Sequence, residues 1–278
     1  MLSAQGFAAT FKYLSMFRDG LICTILLSAL TVLFGFVLAL ILAVLRLSNI
    51  NVFRFLSTYS QRKLLQRGGF WLAVSRFNPV SFFANVYVEI FRATPLLVQL
   101  FIVYYIIFNG AELPNFKLFG FIRFDRFLPG VVALSLNSGA YLSEIIRSGI
   151  QSIDGGQTEA ARSLGMSQLQ NMRFIILPQA IKNILPAIAN EFVTIIKESS
   201  ICYTIGVQEI MYAVSSVKGA TFSIAEPLIV ATCVYFCLTF PTSKIIAHFE
   251  RKMSVGDKRN GAEAINKKHE RKAKTNKA

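Results

Sequence analysis

The chain reads EAARSLGMSQLQNMRFIILP from residue 159 to residue 178. Seven positions in this stretch follow one spacing: Glu-Ala-Ala, three residues, Gly, nine residues, Ile, one residue, and then Leu-Pro. At residue frequencies of a few per cent each, such a match arises by chance at on the order of 1 in 10⁸ starting positions. The spacing is therefore a signature of function, and coincidence is not a serious explanation for it.

The residues around this signature have the composition of a membrane protein. Of 278 residues, 54% are hydrophobic and 16% are charged, whereas about 25% of residues are charged in soluble domains. At about 1.5 Å rise per residue, a helix of about 20 apolar residues crosses a hydrocarbon core of about 30 Å. We predict an all-α, polytopic transmembrane helical bundle with five core spans, at residues 20–45, 94–108, 127–147, 184–205 and 223–246.

The distribution of basic residues predicts how this bundle is oriented. Lysine and arginine number six in the linker 46–82, four in the loop 147–183 and eleven from Lys244 onward, while the three alternate regions together hold six. Cytoplasmic loops carry the excess of Lys and Arg, so we expect the N-terminus outside and the C-terminus in the cytoplasm. Because the charge follows the two sides of the membrane instead of one groove, we predict no nucleic-acid partner.

The pattern divides the chain into an extracytoplasmic N-terminus at 1–19, a transmembrane domain at 20–248 and a basic cytoplasmic tail at 249–278. The domain includes a basic insertion at 46–82 and the loop 152–182 around the signature. The insertion has aromatic residues and no acid, which suits an interfacial helix on anionic membrane lipid, although a solvated loop explains it equally well. The tail is short of large apolar residues, so we expect it to be disordered or a frayed helix.

The sequence offers little material for catalysis or metal binding. The two histidines, His248 and His269, lie in or next to the tail, and the four cysteines form no CxxC pair. We therefore predict no catalytic residue and no metal site. There is also no GxxxxGK[ST] loop to hold nucleotide phosphates. The chain is expected to be neither an enzyme nor the carrier of a cofactor.

The signature itself suits a part that transmits motion. Its helix-forming residues predict a short helix from Glu159 to Met166. Gly165 permits a positive φ or a close approach that turns the chain, and Pro178 is expected to restart a helix at the membrane surface. An ordinary amphipathic loop explains the helix but not the spacing.

At these residues the chain resembles the membrane-spanning permease subunits of ABC importers. The stretches VEIFRATPLLVQL (88–100), LNSGAYLSEIIRSGIQSIDGGQTEAARSLGM (136–166) and NEFVTIIKESS (190–200) are similar to the branch that imports polar amino acids. The resemblance covers residues 20–50 and 82–248. It implies the type I ABC importer permease fold, a bacterial inner-membrane location, and a loop that docks onto a separate ATPase subunit. The implied coupling residues are Glu159, Ala160, Ala161, Gly165, Leu177 and Pro178.

The resemblance also implies partners. These are ABC ATPase subunits, which would hold ATP and Mg²⁺, an extracytoplasmic solute-binding protein, and a second permease copy in a homodimer or a heterodimer. Membrane lipid and a polar amino-acid substrate complete the expected set.

Polar residues inside the membrane predict where that substrate binds, because each charge at the bilayer centre costs about 2.5 to 3.5 kcal/mol. At about 100° per residue, polar residues of the fourth span fall within an arc of roughly 120°, and those of the third span follow i, i+4, i+7 spacing. Pro95 is expected to break the second span and free backbone groups for a ligand. The predicted substrate-binding residues are Thr94, Asn137, Tyr141, Glu144, Asn190, Glu191, Thr194 and Glu198.

An amino-acid zwitterion needs an acceptor for its ammonium group and donors for its carboxylate. Glu191 or Glu144 can accept the ammonium group. An alternative is that Lys197 only neutralises Glu191 or Glu198 as a structural pair. Arg92 is expected to anchor the cytoplasmic end of its helix by snorkelling instead of touching substrate.

The predicted function is that of a transmembrane permease subunit of an ATP-binding cassette importer for polar or charged L-amino acids. A methionine or osmolyte import branch is disfavoured by the FRATPLLVQ and GAYLSEIIRSGI stretches. An ion-coupled carrier or channel without an ATPase partner is the alternative from another class. It would use the charged face of the fourth span as its ion path.

Overall fold

The computed structural model describes residues 2–47 and 78–275, with side chains described as far as Arg251. Most of the basic insertion predicted at 46–82 lies outside the described residues, and so does the interfacial helix proposed for it. Apart from one short hairpin and its connections, the described chain is helical, which confirms the all-α prediction.

The helices are α1 Ala4–Phe11, α2 Leu14–Leu47, α3 Pro79–Ala93, α4 Leu96–Ile102, α5 Phe124–Gln151, α6 Gly155–Ser163, α7 Gln168–Asn171, α8 Leu177–Glu198, α9 Ile210–Thr221 and α10 Ala225–Thr275. The π-helical turns Val103–Ile107 and Met172–Ile176 extend α4 and α7, and the 3₁₀ segment Ser199–Ile205 extends α8. Strands β1 Lys117–Leu118 and β2 Ile122–Arg123 pair antiparallel ahead of α5, with Lys117 opposite Arg123.

Three segments of the described chain are long and apolar enough to cross a membrane alone, namely 14–47, 168–205 and 225–251. They contain the predicted first and fourth spans and all but the first two residues of the predicted fifth span. The predicted second span starts too late, because the structure begins it at Pro79 and breaks it after Ala93. Helices α3 and α4 with its π-turn meet at 112° and can together form one broken span.

Helix α5 is the remaining predicted span and packs along α2 at the centre of the bundle. It has 28 residues, but small and polar residues on its buried face, among them Ser135, Ser138 and Gly139, reduce its apolarity. These small residues allow a close approach, because a Cβ on Gly35 of α2 would lie 3.0 Å from the Ser138 hydroxyl. The small and polar residues on the buried face of α5 therefore serve to pack it closely against α2.

The signature loop folds as two short helices before α8. Helix α6 begins after Asp154 and ends at Ser163, so the helix predicted over 159–166 is present but lies closer to the N-terminus. Gly165 has φ of +79°, which confirms the predicted turn. Helix α8 begins at Leu177 with Pro178 in its first turn, also as predicted.

The sequence did not predict the short helices α1 and α9. The short helices α1 and α9 pack together near the start of α2 and α10. Helix α10 continues to Thr275, which corresponds to the helical alternative for the tail.

Candidate functional site

The signature loop presents an apolar surface outside the predicted spans. Ala161 is buried, whereas Glu159 and Ala160 are exposed. Three large apolar side chains of the same loop are far more exposed than a folded surface requires: Leu164 at 82%, Leu169 at 77% and Phe174 at 63%. We call these three side chains the loop patch. Large apolar side chains exposed on a loop outside the predicted spans are candidates for a protein-binding surface.

Hydrogen bonds within the loop hold its two short helices together, so the loop can move as a rigid unit. The Met166 amide donates to the Ala161 carbonyl at 3.0 Å, which closes the turn at Gly165. Ser167 and Gln170 form a capping box at the start of α7. The Asn171 side-chain amide donates to the Thr158 hydroxyl at 3.2 Å and so ties α7 to α6.

The predicted substrate residues Thr94 and Asn137 are joined through a residue that the sequence did not single out. Asn137 is buried and donates to Gln99 Oε1 at 2.8 Å. The Gln99 side-chain amide donates in turn to the carbonyls of Phe91 and Thr94 and to the Thr94 hydroxyl, at 2.8, 3.0 and 2.8 Å. This network satisfies backbone groups that the break at Pro95 sets free, so Asn137 supports the break.

Glu144 is surrounded by arginines. Arg46 Nη2 lies 2.9 Å from Glu144 Oε2, Arg147 donates to the other carboxylate oxygen, and Arg92 Nη1 lies 3.9 Å from Oε2. One carboxylate is therefore shared by three guanidinium groups. The sequence-based role of Glu144 as a free acceptor for an ammonium group does not fit this arrangement.

Arg92 is the least constrained of these arginines. It lies in the last turn of α3, about 20 Å along the helix from Pro79 at about 1.5 Å per residue. Its guanidinium reaches towards Glu144, which also binds Arg46 in the last turn of α2, so the expectation that Arg92 anchors the cytoplasmic end of its helix by snorkelling stays a prediction. Its guanidinium lies 5.9 Å from the centroid of the Tyr141 ring, and 38% of its side chain is exposed. Arg92 and Tyr141 form an accessible cationic corner beside Thr94.

The polar face of α8 forms a second, separate group. Asn190 is exposed, and Glu191, Thr194 and Glu198 are half-buried. Thr194 bonds only to its own helix, at the Asn190 carbonyl. Among the described residues, no ion pair includes Glu191, Lys197 or Glu198, and no hydrogen bond joins this face to Asn137, Tyr141 or Glu144. Lys197 therefore forms no direct ion pair with Glu191 or Glu198 in the described part of the chain, and the alternative in which it partly neutralises the adjacent Glu198 stays open.

One buried carboxylate lies outside the predicted site. Glu209 is fully buried and precedes α9, where it accepts hydrogen bonds from the Tyr212 amide at 2.8 Å and from the Tyr235 hydroxyl at 2.9 Å. Burial raises the pKa of Glu209 to about 7, although these hydrogen bonds act in the opposite direction. The part of the chain that the structure describes contains no cluster of three His, Cys, Asp or Glu side chains suited to a metal ion.

Residues 67–255 match the family described as "Binding-protein-dependent transport system inner membrane component". Among similar proteins, the arginine transport system permease protein ArtQ of Bacillus subtilis is 37% identical over 251 residues, which is 90% of this chain and 98% of that protein. The putative glutamine transport system permease protein GlnP of Rickettsia conorii is 35% identical over 237 residues, covering 85% and 92%.

Two solved structures are similar to this chain over most of its length. A crystal structure of an amino acid ABC transporter with histidines matches 91% of this chain and 100% of its own, with a TM-score of 0.73 and 37% identity. An inward-facing structure of the MetNI methionine ABC transporter matches 86% and 97%, with a TM-score of 0.59. At 16% identity, the second likeness concerns the fold alone.

Proposed function

The chain belongs to the family of binding-protein-dependent transport system inner membrane components, and we propose that it forms the passage through which an ATP-driven importer moves a polar or charged amino acid into the cell. It is a permease subunit with the type I importer fold, embedded in the inner membrane, and it is not itself an enzyme. Its partners are an ATPase subunit, which hydrolyses the ATP, and a substrate-binding protein.

The loop patch is the observation that carries the coupling part of this proposal. Leu164, Leu169 and Phe174 are exposed outside the predicted spans, on a loop whose two helices are tied together. A rigid apolar knob of this kind suits a groove on the ATPase. Closure of the ATPase pair around ATP and Mg²⁺ would then push α6, with Glu159 to Gly165, and the push would pass through Leu177 and Pro178 into α8.

The arginine cluster suggests how the carboxylate of the substrate is held. Three guanidinium groups share the single carboxylate of Glu144, so a surplus of positive charge remains beside the break in the second span. Arg92 is the accessible member, and a guanidinium pairs well with a carboxylate in a bidentate geometry. We assign the substrate carboxylate to Arg92, with Tyr141 and Thr94 beside it.

The polar face of α8 supplies the remaining part of the pocket. Glu191 has no cation bound within the described chain, so it is free to accept an ammonium group. Asn190 and Thr194 lie on the same face. In this proposal Asn137 and Glu144 support the pocket from behind, and Glu198 lies at its outer end.

Orientation follows from the distribution of charge. The basic tail and the signature loop lie in the cytoplasm, and α1 and the hairpin β1–β2 lie outside. A second permease copy completes the passage.

The test is reconstitution of the chain with its ATPase subunit and binding protein in liposomes, with uptake of radiolabelled arginine and glutamine measured with and without ATP. We expect uptake only with ATP. Gly165→Asp should reduce uptake about tenfold at unchanged membrane insertion, because it strains a left-handed turn and charges the docking surface.

Gly155→Asp is the matched control, since it introduces the same side chain into the same loop. Gly155 has no positive φ, and a Cβ there meets no atom within 4 Å. An acid is also favourable in the first turn of a helix. Uptake that persists without ATP but follows an ion gradient would favour an ion-coupled carrier instead.

A further inference from the structure

The charged end of α8 forms no direct ion pair with another part of the described chain. Lys197 is exposed and Glu198 is half-buried, and neither forms an ion pair within the described residues. Lys197 borders an open cleft of 310 Å³ together with Ser200, Tyr203, Met211 and Tyr235, none of which carries a negative charge at neutral pH. Two opposite charges therefore lie at adjacent positions near the outer end of a membrane span, without a direct ion pair in the described part of their own chain.

Lipid is not a suitable environment for this end of the helix. A charged side chain facing hydrocarbon costs about 2.5 to 3.5 kcal/mol near the centre of the bilayer, and somewhat less towards its edge. A protein surface that covers this end of α8 would have to accept both a cation and an anion.

A second copy of the same chain meets both requirements. We propose that α8 of two copies meets across a twofold axis near the outer end of the passage, with Lys197 of each copy paired with Glu198 of the other. A twofold interface is self-complementary, so one cation and one anion at adjacent positions yield two identical ion pairs. This inference rests on the proposed function, because it requires both copies to have the same orientation in the membrane.

The depth of the residues selects Glu198 over Glu191 as the partner of Lys197. At about 1.5 Å per residue, Lys197 and Glu198 differ in depth by about 1.5 Å, whereas Glu191 lies about 9 Å closer to the cytoplasm. Parallel helices related by a twofold axis bring residues of equal depth together. The reciprocal pairs therefore form above Glu191 and leave its carboxylate free for the ammonium group of the substrate.

The two ion pairs constitute an outer gate over the substrate pocket. They close the passage while the interior is open to the cytoplasm, and they separate when the copies move apart at the outer end. The charged groups of the gate are then available to water or to the incoming zwitterion, so opening does not leave bare charges in lipid.

Charge reversal tests the gate in the full complex with its ATPase subunit and binding protein. Lys197→Glu or Glu198→Lys alone places like charges across the axis and should reduce the stimulation of ATPase activity by substrate about tenfold. The double variant K197E/E198K rebuilds both pairs with opposite polarity and should recover most of that stimulation. Single variants that keep full stimulation, or a double variant no better than the singles, would overturn the gate.

A disulfide experiment tests the geometry independently of activity. Cys233 and Cys237, which are exposed, are first replaced by Ser. Copies carrying Lys197→Cys and copies carrying Glu198→Cys, with different affinity tags, should then form a crosslinked dimer on oxidation. Copies with Val44→Cys, exposed at the opposite end of α2, should not crosslink to Glu198→Cys.

The outcomes separate this inference from the proposed function. If the two tagged copies never purify together while ATP-dependent uptake is normal, the chain pairs with a different permease and the reciprocal gate is wrong. If the unsubstituted complex shows no ATP-dependent uptake, the proposed function is wrong and the gate, which rests on it, is wrong too.

Discussion

At the scale of single residues, Arg46 does more than mark the cytoplasmic end of a span. Only 5% of its side chain is exposed. It donates to Asn85 at 2.8 Å and to Ser143 at 3.3 Å, and it pairs with Glu144 at 2.9 Å. Its guanidinium thus joins α2, α3 and α5 at one point. In the sequence it contributed only to the charge count, because a basic residue after an apolar run is the usual sign of a membrane boundary.

We expect Arg46→Ala to destabilise the protein by about 3 kcal/mol, because it leaves buried polar groups and part of a buried ion pair without a partner. The measurement is the thermal unfolding midpoint in detergent. Arg18→Ala is the matched control and should change stability by no more than about 0.5 kcal/mol, because Arg18 is 71% exposed and pairs only with its neighbour Asp19. Equal midpoints for the two variants would contradict the central position of Arg46.

The buried carboxyl group of Glu209 should make the stability of the folded protein depend on pH. The carboxyl group has a pKa of about 7 in the folded protein against an ordinary value of 4.5. Between these values the folded state binds more protons than the unfolded state, so the contribution of Glu209 to stability falls as the pH rises from about 4.5 to about 7. The loss is of the order of 3 kcal/mol, and the contribution is constant above that range.

Glu209→Gln removes the titrating group at nearly the same volume. We expect its unfolding midpoint to vary less with pH between 4.5 and 7 than that of the unsubstituted protein. Glu112→Gln is a suitable control, because Glu112 lies exposed in the loop after α4. Identical pH profiles for the Glu209→Gln variant and the unsubstituted protein would contradict the raised pKa.

At the scale of elements, the break between α3 and α4 depends on Gln99. The proline at position 95 predicted that the second span is broken. The structure shows that hydrogen bonds of a nearby side chain stabilise this break. The side-chain amide of Gln99 bonds the carbonyls of Phe91 and Thr94, while its oxygen accepts from Asn137. A glutamine within an apolar run gave no signal of this role, because its partners are neighbours only once the chain has turned by 112°.

Gln99→Leu should therefore destabilise the break by about 2 kcal/mol, since it removes the donor to the Phe91 and Thr94 carbonyls and the shorter of the two bonds of the buried Asn137 amide. We expect a lower unfolding midpoint together with weaker stimulation of ATPase activity by substrate, because Thr94 and Arg92 lose their support. Gln151→Leu is the matched control: Gln151 is exposed and bonds only Arg147. A Gln99→Leu variant that unfolds and responds like the Gln151→Leu variant would show that the network does not hold the break.

At the scale of the whole molecule, the proposed topology places the signature loop and the charged tail on one side of the membrane and the hairpin on the other. Successive spans alternate in direction, so one correct assignment orients the others. The counts of Lys and Arg assign the cytoplasmic side.

A reporter fused after Ala278 should therefore read as cytoplasmic, and one inserted after Asn115, in the exposed connection before the hairpin, should read as external. The measurement is the activity of a paired enzyme reporter that distinguishes the two compartments. The same reporter at both sites provides the control for expression. A reversed result would invert the orientation, and it would place the loop patch out of reach of a cytoplasmic ATPase.

The sequence alone was sufficient for the helical class, the coupling signature with its turn at Gly165, the break at Pro95 and the two polar faces. Each of these depends on local conformation or on periodicity along one helix, which neighbouring residues set. Tertiary structure decided what the polar residues contact: Glu144 is occupied by arginines, Arg92 lies beside Tyr141, Gln99 joins Asn137 to Thr94, and Lys197 forms no ion pair within the described residues. Such pairings join residues tens of positions apart, and only the packing of one helix against another brings them within hydrogen-bonding distance.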